Sequence, residues 1–132
     1  MEKSAGIIIR DKSLLVLRTR GKDIYFAPGG KPEINESIEE ALIRELNEEI
    51  GISISKSNIS PYGVFSAPAA GNEDIVLKMS VFWVYGHWGN LFPCNEIEEL
   101  LWVNSENINK ITLSSIFLNE VFYPLVNRGY IS

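Results

Sequence analysis

A chain of 132 residues with 45% apolar and 22% charged side chains has an ordinary globular composition, long enough to bury about two-thirds of its unfolded surface in one core. Its net charge of −5, from 17 acidic and 12 basic residues, excludes a surface built to coat nucleic acid, and no apolar run reaches the roughly 18 residues that span a bilayer. The start MEKSAGIIIRDKS lacks a signal-peptide pattern and Cys94 is the single cysteine, so the expectation is one domain over residues 1–132, monomer or homodimer, in the reducing cytoplasm, without membrane or nucleic-acid partner.

In chain order, AGIIIR and SLLVLRTR are strand-forming runs separated by Asp11-Lys12, a hairpin signal. Arg18 and Arg20 share strand parity, so one face can present both toward a phosphate. IYFAPGGKPEINE is loop chemistry around Pro28, Gly29, Gly30 and Pro32. SIEEALIRELNEEI has helical period, opened by a capping box of Ser37 and Glu40 and stopped by Gly51. GISIS, SPYGVFSA and DIVLKMSVFWVYGHW read as strands, the last apolar enough to be central. GNLFPCNE is a loop in which Cys94 reads as a packed thiol, and His87 reads as a surface residue. IEELLWV is a further strand, and an amphipathic helix over Ser114–Asn127 offers Ile116, Phe117, Val121 and Phe122 for burial. Strands around one strong helix, with another at the end, predict an α/β fold with a mixed sheet between helical layers.

The end of the first helix carries the wrong charge. Carboxylates at a helix C-terminus are repelled by the backbone dipole, yet Glu45, Glu48 and Glu49 crowd the turn before Gly51. At about 100° per residue, with Glu45 at zero, Glu49 lies near +40° and Glu48 near −60°. The apolar stripe of Ile38, Ala41, Leu42, Leu46 and Ile50 spans about −40° to +140°, whereas Glu40, Arg44 and Asn47 fall near 200–260°. Glu45 and Glu49 therefore project along the inward stripe, with Arg44 turned away. Half-buried carboxylates one turn apart need protonation or a cation, and the helix itself supplies no cation. A hard divalent metal such as Mg²⁺, with oxygen ligands, meets that need. Adjacent Gly29 and Gly30 ahead of the helix let backbone approach a metal or phosphate closely.

The segment GKPEINESIEEALIRELNEEIGI, Gly30 to Ile52, resembles the Nudix box at each of its nine defined positions: Gly30, Glu36, Arg44, Glu45, Leu46, Glu48, Glu49, Gly51 and Ile52. The box covers about a sixth of the chain, and the preceding hairpin, the long apolar strand and the closing helix suit the rest of a Nudix fold. The resemblance implies metal-dependent hydrolysis of a nucleoside diphosphate linked to a further group. It implies that Glu45, Glu48 and Glu49 bind Mg²⁺, with Mn²⁺ as a substitute, and that a carbonyl of Gly29 or Gly30 is a backbone ligand. Arg44 would orient Glu45, Glu36 would tie the loop back by pairing with Arg44, and Gly51 would be structural. A further acid is expected ahead of the penultimate strand; Glu96 is the best match, with Glu98 and Glu99 its neighbours. Glu45 is the first choice of base and Glu96 the second. Substrate contacts are expected from Arg18, Arg20, Lys31 and Phe26.

The box leaves the linked group open. Compact length favours a nucleoside triphosphate, oxidised or otherwise non-standard, released as monophosphate and pyrophosphate. ADP-ribose or a nucleotide sugar is the alternative, because Pro68 stands 16 residues beyond the box, where ADP-ribose hydrolases tend to carry proline; Pro68 also suits an ordinary turn. Tyr25, Phe26, Phe65 and Trp83 can stack on a base or simply fill the core. A non-catalytic nucleotide-binding sensor is the reading of another class, which the intact glutamates oppose.

Overall fold

The computed structural model describes residues 1–69, 72–86 and 89–132; His87 lies outside them. Strands β1 (Glu2–Ile7), β2 (Ile9–Arg10), β3 (Ser13–Thr19) and β4 (Ile24–Phe26) precede helix α1 (Ile38–Ile50). Then come β5 (Ile59–Ala69), β6 (Asn72–Val84), β7 (Ile97–Val103), β8 (Thr112–Leu113), α2 (Ser115–Phe117) and α3 (Tyr123–Asn127). Two mixed sheets result. One has the order β1-β6-β5, with β1 and β6 parallel; the other runs β2-β3-β4-β8, with β7 on the other side of β3.

Strand β3 sits between two helical layers, and its alternation shows why. Leu15 and Leu17 join Leu42, Leu46 and Ile50 of α1 in one core, whereas Leu14 and Val16 join Phe117, Val121, Phe122 and Leu125 in the other. All four β3 side chains are fully buried, each contributing about 1.5–3 kcal/mol of transfer free energy. β6 divides the same way, Met79 and Val81 toward the C-terminal helix and Phe82 and Val84 toward α1. It is central in its sheet, as its apolar run predicts.

The Asp11-Lys12 hairpin forms, both residues left-handed at φ 52° and 59°, as a tight two-residue turn requires. Its first run splits, however. Only Ile9 and Arg10 pair with β3, while Glu2–Ile7 leaves to pair in parallel with β6. The other edge of β1 takes the glycine loop, Ser4 N–H donating to Gly30 O (2.9 Å) and Gly6 N–H to Pro28 O (2.8 Å).

GISIS is not a strand. Ile52 anchors it in the α1 core, and side chains take its polar groups instead of a ladder. Asn47 Nδ2 donates to Ile52 O (3.4 Å), and Ser55 N–H donates to Asn58 Oδ1 (2.9 Å) as the chain enters a 3-10 turn at Lys56–Asn58. Pro68 is not in a loop either. β5 continues to Ala69, with Pro68 opposite Val76 beside one register shift and Pro61 beside another. β5 is an edge strand, where proline and bulges are tolerated.

The terminal helix begins at Ser115 and is divided by a π turn at Leu118–Phe122. Pro124 has no N–H to give the carbonyl four residues back, that of Glu120. Tyr62 Oη donates to that carbonyl instead (3.0 Å).

Candidate functional site

Both ends of α1 are fixed as the sequence predicts. Ser37 Oγ accepts from Glu40 N–H (3.1 Å) and Ser37 N–H donates to Glu40 Oε1 (2.9 Å). Gly51, at φ 75°, donates to Asn47 O (3.1 Å), and the last turn holds no basic residue.

Glu49 is 6% exposed. The Gly29 N–H donates to its Oε1 at 2.9 Å. Burial pushes its carboxyl up to about 8, against the Gly29 bond and aided by the charges of Glu45, Glu96 and Glu48. Glu45 is half-buried, and burial together with a hydrogen bond to Glu48 raises it to about 7. Glu48 is exposed.

Arg44 differs from its expected outward place. It curls along the helix, Nη1 donating to Glu45 Oε1 (2.7 Å) and Glu48 Oε2 (3.2 Å). Its Nε and Nη2 grip both Glu36 oxygens, at 2.9 and 3.0 Å, and Nη2 also reaches Lys31 O (3.0 Å). The long, flexible stem turns a solvent-side Cα into an inward guanidinium, which a helical-wheel angle does not represent. The helix does supply a cation to Glu45 and Glu48. Glu49 is not among Arg44's bonds.

Glu96 is brought in by a loop rather than by its own element. Asn95, left-handed at φ 52°, donates from Nδ2 to Glu48 O (2.7 Å), and Cys94 N–H donates to Glu49 O (3.0 Å). These bonds satisfy carbonyls that the helix end leaves open and set Glu96 near enough to raise Glu49. Asn95 is a positioning residue that sequence reading missed; the only signal was a residue tolerant of positive φ just before the acid.

Ser4 was missed too. It is buried, donates to Gly30 O (3.1 Å) and accepts from Gly30 N–H (3.2 Å). With the Ser4 N–H on the same oxygen, the Gly30 carbonyl is fully engaged, which narrows the expected backbone ligand to Gly29. A Cβ on Gly29 would overlap the Ser4 carbonyl, which is backbone, and one on Gly30 would displace the end of the Glu45 side chain.

Arg18 and Arg20 do not share a free face. A register shift interrupts the ladder between Arg18 and Thr19. Arg18 Nε donates to Glu99 (3.1 Å), which also accepts from Tyr25 Oη (2.6 Å). Arg20 reaches Glu98 (3.4 Å) and Asn95 O (3.2 Å), and its N–H donates to Glu96 O (2.8 Å), so Arg20 stands nearer the acids. Trp83 and Phe65 pack against the core, with Trp83 edge-on to Tyr62.

Lys3, Phe26, Ala27, Leu77, Met79 and Ser114, together with Gly30, line a cleft of about 320 Å³. A larger cleft of about 510 Å³ is bounded by Ile38, Lys56, Val64 and Phe82. Neither lining includes Glu45, Glu48, Glu49 or Glu96, and the smaller cleft adjoins them only through Gly30, which abuts the Glu45 carboxylate.

The donor set suits a hard divalent cation: carboxylate oxygens one turn apart, one of them buried, beside a glycine backbone. Among the described residues no three such groups converge as they stand; Glu45 and Glu48 face Arg44. Holding an ion would require those two exposed or half-exposed side chains to rotate away from it.

The NUDIX domain family profile matches residues 2–122. An ADP-ribose pyrophosphatase of Methanocaldococcus jannaschii is 28% identical over 109 residues, covering 80% of this chain and 63% of that protein. An 8-oxo-dGTP diphosphatase of Escherichia coli is 36% identical over 58 residues, 40% of this chain and 45% of that protein. The chain thus spans less than two-thirds of either relative. The solution structure of the E. coli ORF135 protein superposes with a TM-score of 0.72 at 28% identity, covering 96% of this chain and 91% of that one.

Proposed function

The chain belongs to the NUDIX family, and from that premise we propose that it hydrolyses a phosphoric anhydride bond in a nucleoside diphosphate-linked compound, a nucleoside triphosphate to monophosphate and pyrophosphate. The observation that carries this is the buried Glu49 carboxylate, bonded to Gly29 N–H and surrounded by Glu45, Glu48 and Glu96. So much negative charge around one buried acid is stable only if a proton or a cation offsets it.

Glu45, Glu48, Glu49, Glu96 and the Gly29 carbonyl would hold Mg²⁺, or Mn²⁺ in its place. When bound, such an ion offsets phosphate charge and lowers the pKa of water. Arg44, anchored on Glu36, keeps Glu45 at 2.7 Å until that carboxylate turns toward the ion. Glu45 takes the proton of the attacking water as its oxygen bonds to phosphorus and the bridging P–O bond breaks; Glu96 is the second candidate for that role. The departing phosphate carries away the bond's electron pair. The cleft beside Gly30 takes the nucleoside, with Phe26 against it, and Arg20 and Lys31 lie on the phosphate side. The reducing cytoplasm suits its lone thiol.

ADP-ribose hydrolysis is the second reading, supported by the M. jannaschii relative. Pro68 lies on the edge strand β5, where proline is tolerated, and does not decide between the two readings. The test is Mg²⁺-dependent product release across nucleoside triphosphates, ADP-ribose, dinucleoside polyphosphates and nucleotide sugars, with Glu49→Gln in parallel. Turnover of triphosphates that Glu49→Gln abolishes, with folding intact, is the expected result. Full turnover by Glu49→Gln would refute the site assignment, and nucleotide binding without turnover of any compound would mark a sensor.

A further inference from the structure

The cleft beside Gly30 is mostly apolar; its polar lining is Lys3, the Ser4 and Ser114 hydroxyls, and Met1, whose ammonium donates to Val76 O (3.0 Å). Lys3 stands on β1 in register with Met79 of the parallel strand β6. By strand alternation it shares a face with Ala5 and Ile7, which are buried against the C-terminal helix. Lys3 is the half-buried outer member of that row and lines the cleft with Phe26, Ala27, Leu77 and Ser114. Its chain neighbour Glu2 projects to the opposite face and pairs with Lys78 at 3.5 Å. No carboxylate among the described residues pairs with Lys3. Among the described residues it is the charged side chain lining this cleft, the Met1 ammonium there being taken up by Val76 O.

A lysine ammonium carries three donors and no acceptor. In an apolar cleft it rewards a ligand that brings an acceptor and penalises one that brings only another donor. At about 320 Å³ the space suits a single flat heterocycle between aliphatic walls. Gly30 ties the cleft to Glu45, so a base lodged there leaves its phosphates beside the glutamates.

We infer that Lys3 is a specificity-determining residue, donating to the exocyclic oxygen of a 6-oxopurine and disfavouring the 6-amino group of adenine. This rests on the reading of the cleft as the nucleoside end of the site.

Inosine and adenosine nucleotides differ at that position and share the rest of the ring, so they form the test pair. Affinities for inosine 5′-monophosphate and AMP are measured by calorimetry on the wild type, Lys3→Met, Lys3→Arg and the control Lys78→Met. Hydrolysis of the two triphosphates is followed in parallel. The wild type should bind the 6-oxo compound about tenfold more tightly, the size of one charge-assisted hydrogen bond. Lys3→Met should bring the two affinities within about twofold, while Lys3→Arg and Lys78→Met should keep the preference. An unchanged ratio in Lys3→Met, a wild-type preference for AMP, or failure of both monophosphates to bind would each overturn the inference. Absence of triphosphate turnover alongside a ratio that depends on Lys3 would overturn the proposed hydrolysis and leave the inference standing.

Discussion

Glu36 and Arg44 meet across eight residues in a two-pronged ion pair, Nε to Oε2 at 2.9 Å and Nη2 to Oε1 at 3.0 Å. The pair locks the loop before α1 to the middle of the helix and fixes the guanidinium that grips Glu45 and Glu48. The hydrogen bond from Arg44 lowers the pKa of Glu36. Glu36→Gln keeps the shape but removes the negative charge and replaces one of the two acceptor oxygens with a donor. Turnover should fall roughly tenfold or more, with a thermal midpoint lowered by only a few degrees, read by steady-state kinetics and circular dichroism on one preparation.

The two loop glycines should fail differently. Gly29 has φ 137° and its Cβ would meet the Ser4 carbonyl, which is backbone and cannot yield. Gly29→Ala should therefore unfold the loop and lower the melting temperature markedly. At Gly30 the obstacle is the end of the Glu45 side chain, which can swing aside. Gly30→Ala should stay folded and lose activity by roughly a hundredfold. Equal loss of stability in both variants would contradict the distinction.

Glu49 makes stability depend on pH. Burial raises its pKa in the folded chain from 4.5 to about 8, so the folded state holds the proton more tightly than the unfolded one. Stability from this group is complete below about pH 4.5 and is lost as pH rises toward 8. In a chelator, the unfolding free energy from urea titrations should decline from pH 5 to pH 8 by a few kcal/mol in total. Glu36, Glu40 and Glu99 have lowered pKa values and so act in the opposite direction, below that window. Glu49→Gln should flatten most of the decline, Glu45 accounting for the remainder; a wild-type midpoint constant over this range would disprove the effect.

The Tyr62 hydroxyl and Pro124 should be coupled. Tyr62→Phe leaves the Glu120 carbonyl without its donor and should cost about 1 kcal/mol. Pro124→Ala restores an N–H that can close the helix on that carbonyl. In the Pro124→Ala background the Tyr62→Phe penalty should shrink to a few tenths of a kcal/mol, measured as a double-mutant cycle in urea.

Helix α1, its caps, the inward run of Glu45 and Glu49 and the central β6 were all legible, because each is set by a local period or a fixed cap spacing. What sequence could not reveal were relations between distant segments. Ser4 supports Gly30 from 26 residues away, and Asn95 closes the end of α1 from 47; neither leaves a local mark. Arg44 was placed by the angle of its Cα, though a side chain that long can reach round to acids on the inner face. The β-branched content of GISIS suggests a strand, but asparagine side chains take its backbone groups, Asn47 at Ile52 O and Asn58 at Ser55 N–H.

Strand β5 lies at a sheet edge and carries Pro61 and Pro68, each beside a register shift. Neither proline can donate a hydrogen to an incoming strand. A second chain trying to extend this sheet would find the row of amides broken twice and the edge bent out of plane. The strand with exposed Val64 is thus a poor template for fibril growth. Replacing the two prolines would open a route to ordered aggregation, without touching the glutamates at all.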